Sequence, residues 1–190
     1  MRGVALATIL GFAIANVAMA ETVLTGNEAK RALFGVRGSV GAVAQNGVLS
    51  EKDQAILAQV ASTQKYYGAI AFSPDEGLLS QATVAAANYH SVEPARAAAL
   101  AECNSKRQSG SAQCVIGADI LPRRYQPGRA LQLNIDATGA VGKEYRRLRG
   151  DKAFSISSET GEWGFGASDA EAQAACAANG ASDCRVVLRN

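Results

Sequence analysis

His90 is the only histidine in the chain, so any serine or cysteine acyl transfer would have to use it as the base. It stands in Asn88-Tyr89-His90-Ser91 at the N-terminal edge of a helix, with Ser91 beside it and Ser73 earlier as candidate nucleophiles. No Gly-x-Ser-x-Gly elbow frames a serine. Cys103, Cys114, Cys176 and Cys184 show no Cys-x-x-Cys spacing, which argues for disulfides over a metal or redox site. The carboxylates of Asp75-Glu76 and Glu159 fall at turns, where acidic residues serve turn geometry. The 19 glycines include neither a Gly-x-Gly-x-x-Gly nor a Walker loop. The expectation is that no cofactor and no metal is bound, with His90 the single catalytic candidate.

A second kind of chemistry is electrostatic. Residues 123–152 carry Arg123, Arg124, Arg129, Lys143, Arg146, Arg147, Arg149 and Lys152 against Asp136, Glu144 and Asp151. Lys143, Arg146 and Arg147 fall on or just past one helix and could form a positive ridge for a polyanion. The ordinary alternative is a solvated helix face.

The elements that must position these residues read as one unit written twice. The first copy has the apolar strand Tyr67–Phe72, the turn Ser73-Pro74-Asp75-Glu76-Gly77, a helix opened by Ser91 and running from Val92 to about Asn104 with Cys103 late in it, and a strand led by Cys114. The second has Ala153–Ile156, the turn Ser157-Ser158-Glu159-Thr160-Gly161, a helix from Ser168 to Cys176, and a strand led by Cys184. Four cysteines allow three pairings; the repeat selects Cys103–Cys114 and Cys176–Cys184. Tyr67–Phe72 is apolar on both alternating faces, the mark of a strand buried on both sides.

Further elements precede each hairpin. Thr25 caps a short helix, Val40–Ala44 is a strand closed by an Asn46-Gly47 turn with a short return arm at Val48-Leu49, and Ser50 caps a helix with Ile56, Leu57 and Val60 on one face. Leu78 to about Ala85 is expected as a returning strand. Leu131, Leu133 and Ile135 alternate with polar residues as a half-exposed strand, after which Thr138 caps a helix carrying Val141, Tyr145 and Leu148. The fold class is therefore α+β: a two-layer sandwich of antiparallel sheet and helices, made of two β-α-β-β-α-β, ferredoxin-like halves with one disulfide each. Residues 21–121 form the first half, the Pro/Arg/Gly-rich 122–129 a linker, and 130–190 the second half.

Residues 1–20 read as an export signal. Arg2 supplies a positive start, Val4 to Ala15 an apolar core too short to span a bilayer, and Ala18-Met19-Ala20 a cleavage site before Glu21. The expected location is periplasmic or secreted. Net charge is +2, and +1 once Arg2 is removed, so no global field argues for nucleic acid.

The run Tyr67-Gly68-Ala69-Ile70-Ala71-Phe72-Ser73, the Gly77 turn, Ala97-Ala98-Ala99-Leu100 leading to Cys103, and Cys114-Val115-Ile116 together resemble a family of small secreted bacterial domains of unknown function. The resemblance covers residues 67–118 well and 152–188 loosely, where Asp151-Lys152-Ala153-Phe154 replaces Gly-Ala-Ile-Ala. It implies the fold and export, and carries no catalytic residue. Proteins of that type sometimes bear a 5-aminolevulinate synthase label, but this sequence has no recognisable pyridoxal-binding lysine motif.

These features point to a non-catalytic binding or interaction module for a protein or envelope component. The rivals are a hydrolase built on His90 with a nearby serine, and a polyanion binder using Arg123, Arg124, Arg129, Lys143, Arg146 and Arg147.

Overall fold

In the computed structural model, which describes residues 22–45 and 47–190, seven strands form two antiparallel sheets with five α-helices around them. The proposed signal at 1–20 and the turn residue Asn46 lie outside the described residues. The chain is α+β, with one disulfide in each half: Cys103–Cys114 and Cys176–Cys184, at Cα separations of 6.1 and 6.0 Å.

The first sheet contains β1 (Ser39–Val43), β2 (Gly68–Phe72), β3 (Val84–Ala86) and β4 (Val115–Pro122) in the order β1-β4-β2-β3. Helices α2 (Glu51–Thr63) and α3 (Val92–Lys106) cover its opposite faces. Alternation along β2 divides the core: Ile70 and Phe72 meet Leu57 and Ala61 of α2, while Ala69 and Ala71 meet Ala95, Ala99 and Cys103 of α3. Small side chains on the α3 side bring that helix close to the sheet, and Cys103 in its last turns reaches Cys114 at the foot of β4.

The second sheet contains β5 (Ala153–Ile156), β6 (Trp163–Gly166) and β7 (Arg185–Arg189) in the order β6-β5-β7. Helix α5 (Asp169–Ala177) lies against one face, its backbone close to Gly164. On the other face Phe154, Ile156, Trp163 and Phe165 pack against α4 (Ile135–Ala140) and its continuation as a π-turn through Val141–Tyr145. Phe154 stacks on both Trp163 and Phe165, with interplanar angles of 8° and 13°.

Several expectations are revised. The first half has the β-α-β-β-α-β order, but its first and third strands are the sheet edges, whereas a ferredoxin arrangement places them at the centre; the second half has three strands. The sheets are middle layers with helices on both faces. Leu131 to Ile135 is not a strand: Asn134 accepts the Ala137 N–H at 2.7 Å and starts α4 there, four residues before Thr138, which donates to the Leu133 carbonyl. The returning strand shrinks to Val84–Ala86, because Ser80 and Thr83 make turn bonds to Gly77 and Ser80 and leave Leu79 fully exposed. Val48-Leu49 forms no return arm; β1 pairs with β4 instead. In α2 the buried stripe is Leu57 and Ala61, with Ile56 and Val60 exposed. Helix α1 (Gly26–Ala32), capped by Thr25 and Glu28 reciprocally, joins the second core although it precedes the first sheet: Leu24 bridges Leu188 and Ala29 packs beside Tyr145.

Candidate functional site

The residues that join the halves converge on His90. Residues 88–91 leave the first sheet after β3, residue 134 leads into α4, and residues 161–162 form the β5–β6 turn. Asn88 sits at φ +67°, a left-handed conformation that Asn tolerates because its short side chain bonds locally. Here its amide donates to Asp136, which also pairs with Lys65.

His90 is buried, and both ring nitrogens are engaged. Nδ1 accepts the Asn134 backbone N–H at 3.1 Å, so the proton rests on Nε2, which donates to the Glu162 carbonyl at 3.1 Å. Burial lowers the imidazole's pKa to about 4, with Arg185 acting in the same direction; the bond to Glu162 and the nearby Asp183 oppose it only in part. At neutral pH the ring is an uncharged strut. Asn134, also buried, completes the junction: Nδ2 donates to the carbonyls of Asn88 and Gly161, both at 2.8 Å. Gly161, at φ +83°, fits closely here, since a Cβ would lie 2.4 Å from the Asn88 carbonyl oxygen.

This geometry gives His90 no nitrogen to offer a nucleophile. Ser91 is adjacent in sequence but unconnected to the ring, and Ser73 lies beyond the far end of β2, about 20 Å of strand from Tyr67. Ser73 instead donates to the Ala112 carbonyl at 2.9 Å. Among the described residues no three His, Cys, Asp or Glu side chains group as metal ligands, and the cysteines form disulfides.

Beside the junction lies a crevice of about 270 Å³, lined by Ser91, Arg129, Gln132, Ile156, Ser158 and Arg185 with His90 and Leu131. Two guanidinium groups line it, those of Arg129 and Arg185. Arg185 donates Nε to Ser158 Oγ at 3.2 Å. Arg129 donates to the carbonyls of Ala32 and Leu33 and lies 3.8 Å over the Phe34 ring, so its planar group is held in place.

The structure disperses the sequence-selected cations. Arg129 belongs to the crevice. Lys143, within the π-turn, and Arg146, just past it, line different patches: Arg146 joins Lys30 along a groove floored by Leu33, Phe34 and Val141, and Lys143 joins Lys65, Asp136 and Glu144 beside Val36, Ile135 and Trp163. Arg123 lies against Gly38, while Arg124, at φ +61°, and Arg147 are exposed. Sequence reasoning missed Asn134, Gln132, Ser158, Arg185 and Lys30. Only Asn134 carried a local signal, an Asn three residues before Ala137 at a helix start.

No family model matches the chain, and no curated protein or solved structure matches it.

Proposed function

We propose that this chain is an exported, non-catalytic binding module that engages an acidic protein or envelope component through the face around the α4 π-turn. The observation that carries this reading is the groove of Leu33, Phe34 and Val141 beside Gly142, edged by Lys30 and Arg146; the adjoining patch of Val36 and Gly139 carries Lys143 and Lys65 together with Asp136 and Glu144. Val36 is 46% exposed, and the two glycines leave that helical face without side chains. Such a surface suits a partner that offers both negative charge and apolar area. The apolar stretch within residues 1–20, the two disulfides and the resemblance to secreted domains support export to a periplasm or beyond; no described helix is long and apolar enough to cross a membrane. We read the two disulfide-closed units as copies of one ancestral segment, an interpretation supported by their matching strand order. The hydrolase reading is disfavoured by the closed hydrogen bonding of His90.

Heparin chromatography tests the proposal. The chain from residue 21 is expected to be retained and to elute earlier as salt rises. Lys30→Glu with Arg146→Glu should advance elution more than Arg123→Glu with Arg124→Glu. Equal shifts from the two pairs, or no retention of the wild type, would count against the face.

A further inference from the structure

The outer edge of β1 holds backbone hydrogen-bonding groups that the fold does not use. We infer that β1 is a docking edge and that its occupant is β1 of a second copy of this chain, running antiparallel about a two-fold axis at Gly41. The basic groove takes no part, so the inference stands apart from the binding role proposed above.

The ladder fixes which groups are open. β1 pairs with β4 alone, and the Ala44 N–H donates to the Gly117 carbonyl at 2.8 Å, one step on from the Val43–Ala118 pair. Alternation then turns the backbone groups of Val40, Ala42 and Ala44 inward and those of Ser39, Gly41 and Val43 outward. The outward groups of Ser39 and Gly41 have no partner among the described residues, and the Val43 carbonyl has only the exposed Gln45 amide at 3.4 Å. Two other edges are closed or cut short: β7 is bonded to Leu24, and β3 runs for three residues. β1 has neither protection, and Ser39-Val40-Gly41-Ala42-Val43 holds no charge and no proline to keep another strand away.

The two faces of the edge identify the occupant. On one, Val40 (41% exposed) and the exposed Ala42 stand clear of α3, which packs on Ala69, Ala71 and Val84. Pairing about Gly41 sets Val40 against Ala42 of the second copy and Ala42 against its Val40, so each copy covers the other's apolar pair. On the opposite face lies α2: a Cβ on Gly41 would meet Ala58 and Ala61, and one on Gly117 would meet Leu57. With α2 above β1 and β4, the strand spacing puts two such helices roughly 10 Å apart, an ordinary packing distance. The flank of α2 that borders the open edge is Glu51, Ala55 and Ser62 at helical spacing, exposed and mostly small.

Charge agrees. Ser39 donates to the Gln64 carbonyl at 2.6 Å, so α2 ends beside Ser39 and begins beside Val43. Arg37 and Arg123 therefore stand at one end of the edge and Glu51 at the other, with Lys52 about 100° further round the helix. The two-fold brings the basic end of each copy to the acidic end of the other and sets the α2 dipoles antiparallel. A free peptide would use the hydrogen bonds and leave the helix flank and both charged ends idle.

Sedimentation equilibrium and amide hydrogen exchange on the chain from residue 21 test this. A concentration-dependent dimer is expected. The Gly41 and Val43 amides should slow as concentration rises, while those of Val40 and Ala42, already bonded to β4, stay unchanged. Val40→Lys places a charge on the exposed face, and Val43→Pro removes an outward N–H without touching the β4 ladder. Each enters the two-fold contact twice and should weaken the dimer at least about tenfold. Should Val43→Pro disturb the fold, Val40→Lys, at an exposed position, and the exchange pattern still decide. A wild type that stays monomeric at about 1 mM overturns the inference. So does a dimer that Val40→Lys leaves as tight, or one whose Gly41 and Val43 amides stay open, since either puts the contact elsewhere.

Discussion

The unit β2–β3–α3–β4 and the unit β5–β6–α5–β7 share strand order, a register shift at the same point of their central strands (after Ile70 and after Phe154), and a helix-to-strand disulfide. Their supporting interactions are matched in kind but exchanged in direction. In the first unit Arg96 of the helix pairs with Asp119 of the strand; in the second Asp169 of the helix pairs with Arg189 of the strand. Asp75 in the first turn accepts from Ala112 ahead of Cys114, whereas Asp183 ahead of Cys184 accepts from Glu159 in the second turn. Where the exchange is balanced, it maintains the scaffold. The differences without compensation lie at the start of α3: His90 where the second unit has Ala167, and Ser91 followed by Pro94 where the second has Ser168 followed by Glu171. That asymmetric segment forms the junction and one wall of the crevice.

Breaking the comparison at the paired turn glycines should give the largest effect. Gly77 and Gly161 both hold positive φ, but only Gly161 lies against another half. Gly77→Ala is expected to cost about 1 kcal/mol, the left-handed penalty alone. Gly161→Ala should cost at least about 3 kcal/mol, since it adds a clash with Asn88. Urea unfolding compares them directly.

The disulfides come next, and here the units should agree. Closed-loop entropy gives about 2.8 kcal/mol for Cys103–Cys114 and about 2.6 kcal/mol for Cys176–Cys184. Serine pairs at each bridge should therefore lower the urea midpoint by similar amounts, and a twofold disparity would mean that one bridge also strains or relieves the native fold.

The caps sharpen the contrast on a smaller scale. Ser168→Ala should lose about 1 kcal/mol with its bond to Glu171, and Ser91→Ala should lose almost nothing. Thermal melts resolve that difference. Smallest are the ion pairs: Arg96→Ala should cost below about 1 kcal/mol, and Arg189→Ala should move the melt less, because Asp119 is 15% exposed against 44% for Asp169.

Much of the scaffold was legible from local pattern. The cysteine pairing followed from the repeat, the double-sided burial of β2 from Gly68-Ala69-Ile70-Ala71-Phe72, and the start of α2 from Ser50 with Asp53. The misread segments were those decided by distant partners. Leu131, Leu133 and Ile135 alternate as a strand does, yet Asn134 is fixed by carbonyls 46 and 27 residues away, and among the described residues no strand pairs with this segment. Helix α1 joins the second core through Leu24 and Leu188, at opposite ends of the described chain. The candidate site suffered most for the same reason. His90 was conspicuous as a lone histidine, but its role depends on Asn134 and Glu162, which nothing near it in sequence announces.

The central claim is that His90 is a neutral strut between two similar halves, and its NMR titration tests this most directly. A buried imidazole with pKa about 4, against about 6.5 unfolded, binds its proton less readily in the folded chain. Its contribution is complete above pH 6.5 and is lost as pH falls towards 4, where the unfolded chain gains the proton first. The loss amounts to about 3 kcal/mol over that window. The ring Hε1 signal should stay at its neutral position from pH 7.5 to pH 5, with the stability slope over that range abolished in His90→Gln. A midpoint near 6.5, with the fold intact on both sides, would show an accessible base and contradict the account.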